Sequence, residues 1–308
     1  MVDCDGAPIE GNTTGRDDRP TTAPRFTFAP VTLDGFALLV ILGSFLAGLL
    51  GALTGLGGGL IVVPMLTLLF HVDIRYAIGA SLISVIATSS GAAAAYVREG
   101  WTNVRVGIFL EVATTIGALI GAALAGYIPT RALAVLFGIV LLYTAFRSFQ
   151  TREEHAIDGP SHPWATRLRL DSSYPTPNGE QRYSVQGVPA GFSLMFGAGI
   201  LSALLGIGSG VIKVLAMDRT MKLPFKVSTT TSNFMIGVTA AASAGVYLHR
   251  GYIEPALAFP VMLGVLGGAL LGARVLSRAN VKVLRILFTT VVVVMAVQML
   301  YKGLKGGG

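Results

Sequence analysis

Long apolar blocks free of charge alternate along this chain with short polar or basic connections. The blocks lie at about residues 35–53, 58–70, 76–97, 104–126 and 131–149, and again at about 188–205, 208–217, 228–249, 255–274 and 281–301. A crossing needs about 20 helical residues, so the long blocks predict membrane helices, while those starting at 58 and 208 are too short to cross alone. Between the two sets, residues 150–187 hold Arg152, Glu153, Glu154, Arg167, Arg169, Asp171 and four prolines, which predicts a solvated loop. Residues 1–30 carry Asp3, Asp5, Arg16, Asp17, Asp18 and four prolines without a basic-then-apolar leader pattern, so a flexible polar tail is expected. The chain divides into a tail (1–33), a first membrane unit (34–149), a linker (150–187), a second membrane unit (188–302) and a short C-terminal tail (303–308).

Composition narrows the class. Of 308 residues, 53% are hydrophobic and 13% charged, with mean hydropathy +0.68, whereas soluble domains average about 25% charged residues. A water-soluble enzyme is excluded in favour of an all-α integral membrane protein. The 39 glycines lie without period inside the apolar blocks, which suits close helix packing or helix breaks. Cys4 is the single cysteine, so no internal disulfide forms.

Sliding the chain by 151 positions aligns residues 52–140 with 203–291 without a gap, at 21 identities in 89 positions. Gly55, Gly57 and Gly59 fall on Gly206, Gly208 and Gly210; Ser81 falls on Ser232, Thr88 on Thr239 and Tyr96 on Tyr247. Basic residues then give the orientation. One side of the expected topology holds eight Lys and Arg and the other fourteen, the latter including Arg98, Arg105, Arg152, Arg219 and Lys226. By the positive-inside rule the linker is cytoplasmic and both termini are outside. The net charge of +7 is therefore a topology signal, and no nucleic-acid partner is expected. An odd number of crossings per half makes the halves inverted in topology, each with a Gly-broken or re-entrant helix pair, an arrangement typical of secondary transporters.

The breaks read Leu53-Thr54-Gly55-Leu56-Gly57-Gly58-Gly59 and Leu204-Leu205-Gly206-Ile207-Gly208-Ser209-Gly210. Each glycine costs a helix about 1 kcal/mol relative to alanine. Backbone exposed there must face protein or a water-filled cavity, and helix N-termini meeting at such a point would bind an anion. The bland alternative is tight helix packing, against which stands the i, i+2 spacing of the glycines. Lys213 follows Gly210 by three residues, where an anionic substrate would compensate its charge, or where it would snorkel to the interface. Ser81, Thr229, Thr230, Thr231, Ser232 and Asn233 supply further uncharged donors, with Ser228 better read as a helix cap.

Glu111 lies about two turns into its block, and an ionisable group at that depth is a candidate proton carrier. His155 and His162 match no zinc spacing, and no metal, cofactor, catalytic constellation or phosphate loop is expected.

Gly55-Leu-Gly-Gly-Gly-Leu-Ile-Val-Val-Pro64, Gly206-Ile-Gly-Ser-Gly-Val-Ile-Lys-Val214 and Lys226-Val-Ser-Thr-Thr-Thr-Ser-Asn-Phe-Met-Ile-Gly237 together resemble the TauE/SafE family of membrane permeases over roughly residues 36–302. Ser209 stands where that family usually has a third glycine, and Leu215 where it has proline. The resemblance implies export of sulfite, sulfoacetate or a related organosulfonate across the cell membrane. Joined to the residue-level reading, it gives a secondary transporter working by alternating access at a midplane site, with a passive anion channel or a non-transporting receptor or scaffold as the alternatives. The expected partners are a small anion and the lipid bilayer, with a homodimer as a further expectation.

Overall fold

The computed structural model describes residues 33–54, 58–98, 100–149, 161–176, 179–276 and 281–305; residues 1–32 of the expected N-terminal tail, Gly55, Gly57 and His155 lie outside them, while 303–305 of the expected C-terminal tail belong to the last helix. The described residues form an almost wholly helical bundle: α1 (Leu33–Thr54), α2 (Gly59–Leu68), α3 (Ile74–Arg98), α4 (Val104–Ala125), α5 (Thr130–Phe149), α6 (Pro163–Arg167), β1 (Ser172–Thr176), β2 (Gly179–Tyr183), α7 (Val188–Leu205), α8 (Gly210–Leu215), α9 (Phe225–His249), α10 (Pro255–Leu276) and α11 (Val281–Lys305). Among the described residues, four helices are by themselves long and apolar enough to cross a membrane, within Val104–Ala125, Val188–Leu205, Pro255–Gly272 and Ile286–Lys305. Large apolar side chains such as Leu38, Leu42, Ile108, Val112, Leu263 and Val297 lie exposed on the outside of the bundle. A patch of that extent would drive aggregation in water and is what lipid contact requires. The protein is an all-α, multi-pass membrane protein.

The 151-residue offset reappears in the elements. Shifted by 151, the bounds of α3 and α4 become 225–249 and 255–276, which are those of α9 and α10. Packing follows the same correspondence: α1 lies along α10 as α7 lies along α4, α3 crosses α9, and α5 pairs with α11. Glycines set the closest of these approaches. A Cβ on Gly117 or Gly121 would stand 2.2 or 2.4 Å from the carbonyl oxygens of Phe196 and Ile200 on α7, and one on Gly268 would stand 2.0 Å from that of Phe45 on α1. These small residues are thus used within the protomer, where only glycine lets the backbones meet.

Both short helices fold back along the helix before them. In the first half, Phe36 near the start of α1 meets Phe70 just past α2 edge-to-face at 5.6 Å. In the second, the Gln186 N–H donates to the Met221 carbonyl at 3.0 Å, closing the start of α7 onto the end of a π-helical turn, Ala216–Thr220, that prolongs α8.

At one end of the bundle Arg75 donates to the carbonyls of Gly126 and Ile128, Arg250 donates to those of Ala122 and Ala123, and Lys302 to that of Thr67. These guanidinium and ammonium groups satisfy the carbonyls that helix ends leave open.

At the other end lies the linker, expected as a solvated loop, whose described part is instead folded. Pro163 sits in the first turn of α6, where its missing N–H costs nothing, and the His162 imidazole accepts from the Trp164 N–H. β1 and β2 pair antiparallel, with Ser172 opposite Tyr183. The Asp171 carboxylate accepts from the Val185 N–H at 2.7 Å and from Ser161 Oγ. The linker is pinned to the α3–α4 loop by Asn103, whose Nδ2 donates to the Leu170 carbonyl and the Tyr183 hydroxyl at 2.8 and 2.7 Å. Burial of Tyr183 pushes its phenol up to about 12, against the lowering effect of the Asn103 and Ser172 bonds. One boundary also differs: α9 begins at Phe225, because Pro224 already holds the extended backbone that precedes a helix. Ser228 is therefore no cap; it lies a turn inside and bonds back to the Leu223 carbonyl.

Candidate functional site

The second break is fully described. Gly206 and Gly208 end α7 with φ of +66° and +68°, a left-handed backbone that glycine adopts without a Cβ clash. Ser209 follows at φ +40°, and its hydroxyl donates to the Ala198 carbonyl at 2.6 Å, which offsets part of the strain of a left-handed serine. That bond turns the chain back along α7, setting Ser209 at the level of Ala198, ten residues or about 15 Å along the helix from its start.

The two breaks meet at α3. Ser81 Oγ donates to the Gly206 carbonyl at 2.8 Å and lies 3.4 Å from the Gly59 carbonyl, and a Cβ on Gly59 would stand 2.9 Å from Ser81 Oγ. The equivalent residue of the second half behaves likewise, Ser232 Oγ donating to the Gly210 carbonyl at 3.4 Å. Gly208 sits between Ile236 of α9 and Val85 of α3, where the two central helices cross. Gly58 packs against Gly48 and Val265. In this arrangement the hydroxyl protons of Ser81, Ser209 and Ser232 point to backbone carbonyls.

The polar run on α9 splits by position. Thr229 bonds back to the Phe225 carbonyl; Thr230 donates to the Trp101 carbonyl at 2.9 Å; Thr231 accepts from the Asn103 N–H at 3.0 Å. Thr230 and Thr231 thus tie α9 to the α3–α4 loop and stand apart from the glycines, while Asn233 is partly exposed with no side-chain hydrogen bond among the described residues. Lys226 belongs to the same joint, its ammonium 3.3 Å from the centre of the Trp101 ring.

Lys213 and Glu111 are brought together, although 102 positions separate them in the chain. Lys213 on α8 is wholly buried, and its ammonium donates to Thr239 Oγ1 at 2.6 Å. Thr239 Oγ1 in turn lies 2.7 Å from Glu111 Oε1 and donates to it, as Thr115 does at 3.2 Å. Glu111 is also buried, and its Oε2 has no hydrogen-bond partner. A cation and a carboxylate in the bundle interior are thus joined through one hydroxyl. Buried charges persist only when compensated in this way. Thr239 was missed among the sequence candidates, yet two signals pointed to it: it aligns with Thr88 at the 151-residue offset and lies seven residues, two turns, beyond Ser232 on one face of α9.

The profile of a family described as sulfite exporter TauE/SafE matches residues 40–299. The chain belongs to the TauE/SafE family. TauE/SafE-type relatives among curated proteins include "Probable membrane transporter protein YunE" of Bacillus subtilis, 28% identical over 277 residues that cover 87% of this chain and 98% of the relative. "Probable membrane transporter protein YdhB" of the same organism is 28% identical over 242 residues, 77% of this chain and 89% of the relative. "Probable membrane transporter protein MJ0441" of Methanocaldococcus jannaschii is 28% identical over 280 residues, 85% and 94% of the two chains. No solved structure matches the chain significantly. These relatives are named as membrane transporters, so this TauE/SafE protein falls in a transporter class and not an enzyme class.

Proposed function

We propose that the protein is a secondary transporter in the cell membrane that exports a small sulfur-containing anion, sulfite or an organosulfonate such as sulfoacetate. The observation that carries this reading is Lys213: a wholly buried ammonium on the short helix that follows the second glycine break. A three-oxygen sulfonate or sulfite head offers such a cation several acceptors at once, in charge-assisted bonds stronger than neutral ones.

Alternating access follows from the arrangement of the halves. The start of α1 shares an end of the bundle with Lys302, and the start of α7 shares the other end with the linker, which supports inverted halves rocking around the crossing of α3 and α9. The excess of Lys and Arg on the linker side supports a cytoplasmic linker and external termini. Outward movement of each net negative charge gains about 2.3 kcal/mol per 100 mV of inside-negative potential. Uptake of labelled sulfite, sulfoacetate and chloride by inside-out vesicles tests the reading. Saturable flux of a sulfur anion is expected. Non-saturating flux of all three would make the protein a channel, and no flux of any would leave a receptor or scaffold.

A further inference from the structure

Glu111 and Lys213 bring one negative and one positive charge into the bundle with a single hydroxyl between them. Thr239 takes one of the three N–H donors of Lys213, while Glu111 Oε1 has two hydroxyl donors, Thr239 and Thr115, and Oε2 has none. The carboxylate is therefore half satisfied, in a place closed to solvent. Resting on the reading of Lys213 as the anchor of a transported anion, we propose that the anion displaces Glu111 as the counter-charge of Lys213, and that Glu111 takes up one proton on Oε2 for each anion bound.

Charge balance requires the proton. The empty site holds +1 and −1. Beside an ionised Glu111 a bound monoanion leaves one uncompensated negative charge in the interior and a dianion leaves two, and one proton removes one of these charges, each of which low dielectric strongly disfavours. A proton taken from water onto Oε2 makes the neutral acid, forms no other bond and breaks none, and leaves the ammonium to the anion. It also converts an unpaired buried acceptor into a donor. Thr239 is the positioning residue, holding both groups on one hydroxyl until the anion arrives.

Among the described residues, no other charge competes for this role around Glu111. α4 contributes Thr115 on that face and carries its other ionisable residue, Arg105, nearly two turns away; α7 holds no ionisable residue; α9 contributes Thr239, with Lys226, Tyr247 and His249 two turns or more from it; α8 contributes Lys213. The coupling has a directional consequence. A monoanion moves with its proton as a neutral pair, whereas a dianion moves with one net negative charge, which an inside-negative potential drives outward.

The test is calorimetric titration of the purified full-length protein in mild detergent with sulfoacetate, whose two acid groups are both ionised at pH 7. Repeating the titration in buffers of different ionisation enthalpy counts protons taken up on binding. Wild type should take up about one proton per anion, with affinity falling about tenfold per pH unit as pH rises. Glu111→Gln, which keeps the acceptor for Thr115 and Thr239, should bind with no proton uptake and a flat pH profile. Wild-type binding without proton uptake, or a Glu111→Gln protein that keeps the pH slope, overturns the coupling and leaves the anion site standing. If neither sulfoacetate nor sulfite binds to wild type, the transporter reading fails and the coupling with it. The wild-type slope decides the matter even if the variant does not fold.

Discussion

Thr239→Val separates a hydroxyl that joins two buried charges from one that merely decorates a helix. The substitution keeps the side chain's shape and removes two charge-assisted bonds, 2.6 Å from Lys213 and 2.7 Å to Glu111. Bonds to charged groups contribute about 1.5–3 kcal/mol each, so the loss should be about 3–6 kcal/mol, at the level of breaking a buried ion pair. The protein carries its own control. Thr88, the aligned residue of the first half, bonds only to the carbonyls of Ser84 and Val85 within its own helix. Those carbonyls keep their helical partners, so Thr88→Val should cost under about 1 kcal/mol. Thermal unfolding in mild detergent reads both. At about 2 °C per kcal/mol for a chain of this size, the midpoint should fall by about 6 °C or more for Thr239→Val and by about 2 °C or less for Thr88→Val. Equal shifts for the two variants would refute the idea that Thr239 compensates buried charge.

Three further outcomes follow from geometry. Gly268→Ala places a methyl 2.0 Å from the Phe45 carbonyl and should destabilise by about 1–3 kcal/mol by pushing α10 off α1; Gly245→Ala, on an exposed face with nothing within 4 Å, should be neutral or gain up to about 1 kcal/mol, as read by the same unfolding assay. Ser209→Val should abolish anion flux in vesicles, since a β-branched residue at φ +40° is strained and the Ala198 bond is lost, whereas Ser209→Gly should fold and retain flux. Tyr183, raised from its ordinary 10 to about 12 by burial, favours the folded linker fully below pH 10 and should lose about 2–3 kcal/mol of that contribution between pH 10 and 12; the 295 nm phenolate absorbance, compared with Tyr183→Phe, checks it.

Local and periodic information was legible in the sequence, and contacts between distant segments were not. Hydropathy located the long helices, and the 151-residue alignment located α9 and α10, because duplicated units keep their boundaries when the same apolar faces must be covered. The glycine breaks were also visible, since several helix-breaking residues within six positions outweigh the apolar context. The pairing of Lys213 with Glu111 was not, because nothing in residues 102 positions apart states which helix faces which. The linker fold was missed for a different reason. β1 carries Pro175 and little apolar alternation, and the hairpin is held by Asp171, Asn103 and Tyr183, polar contacts with no period to read.

Lys213 is the proposed anchor of the transported anion. The direct test is saturable sulfoacetate and sulfite uptake by inside-out vesicles containing wild type or Lys213→Met, at matched expression and with folding verified by detergent gel filtration. Wild type should take up both anions, and the variant should lose more than about tenfold in apparent affinity, since a charge-assisted contact contributes about 1.5–3 kcal/mol. Wild-type flux preserved in a folded Lys213→Met protein would contradict that role.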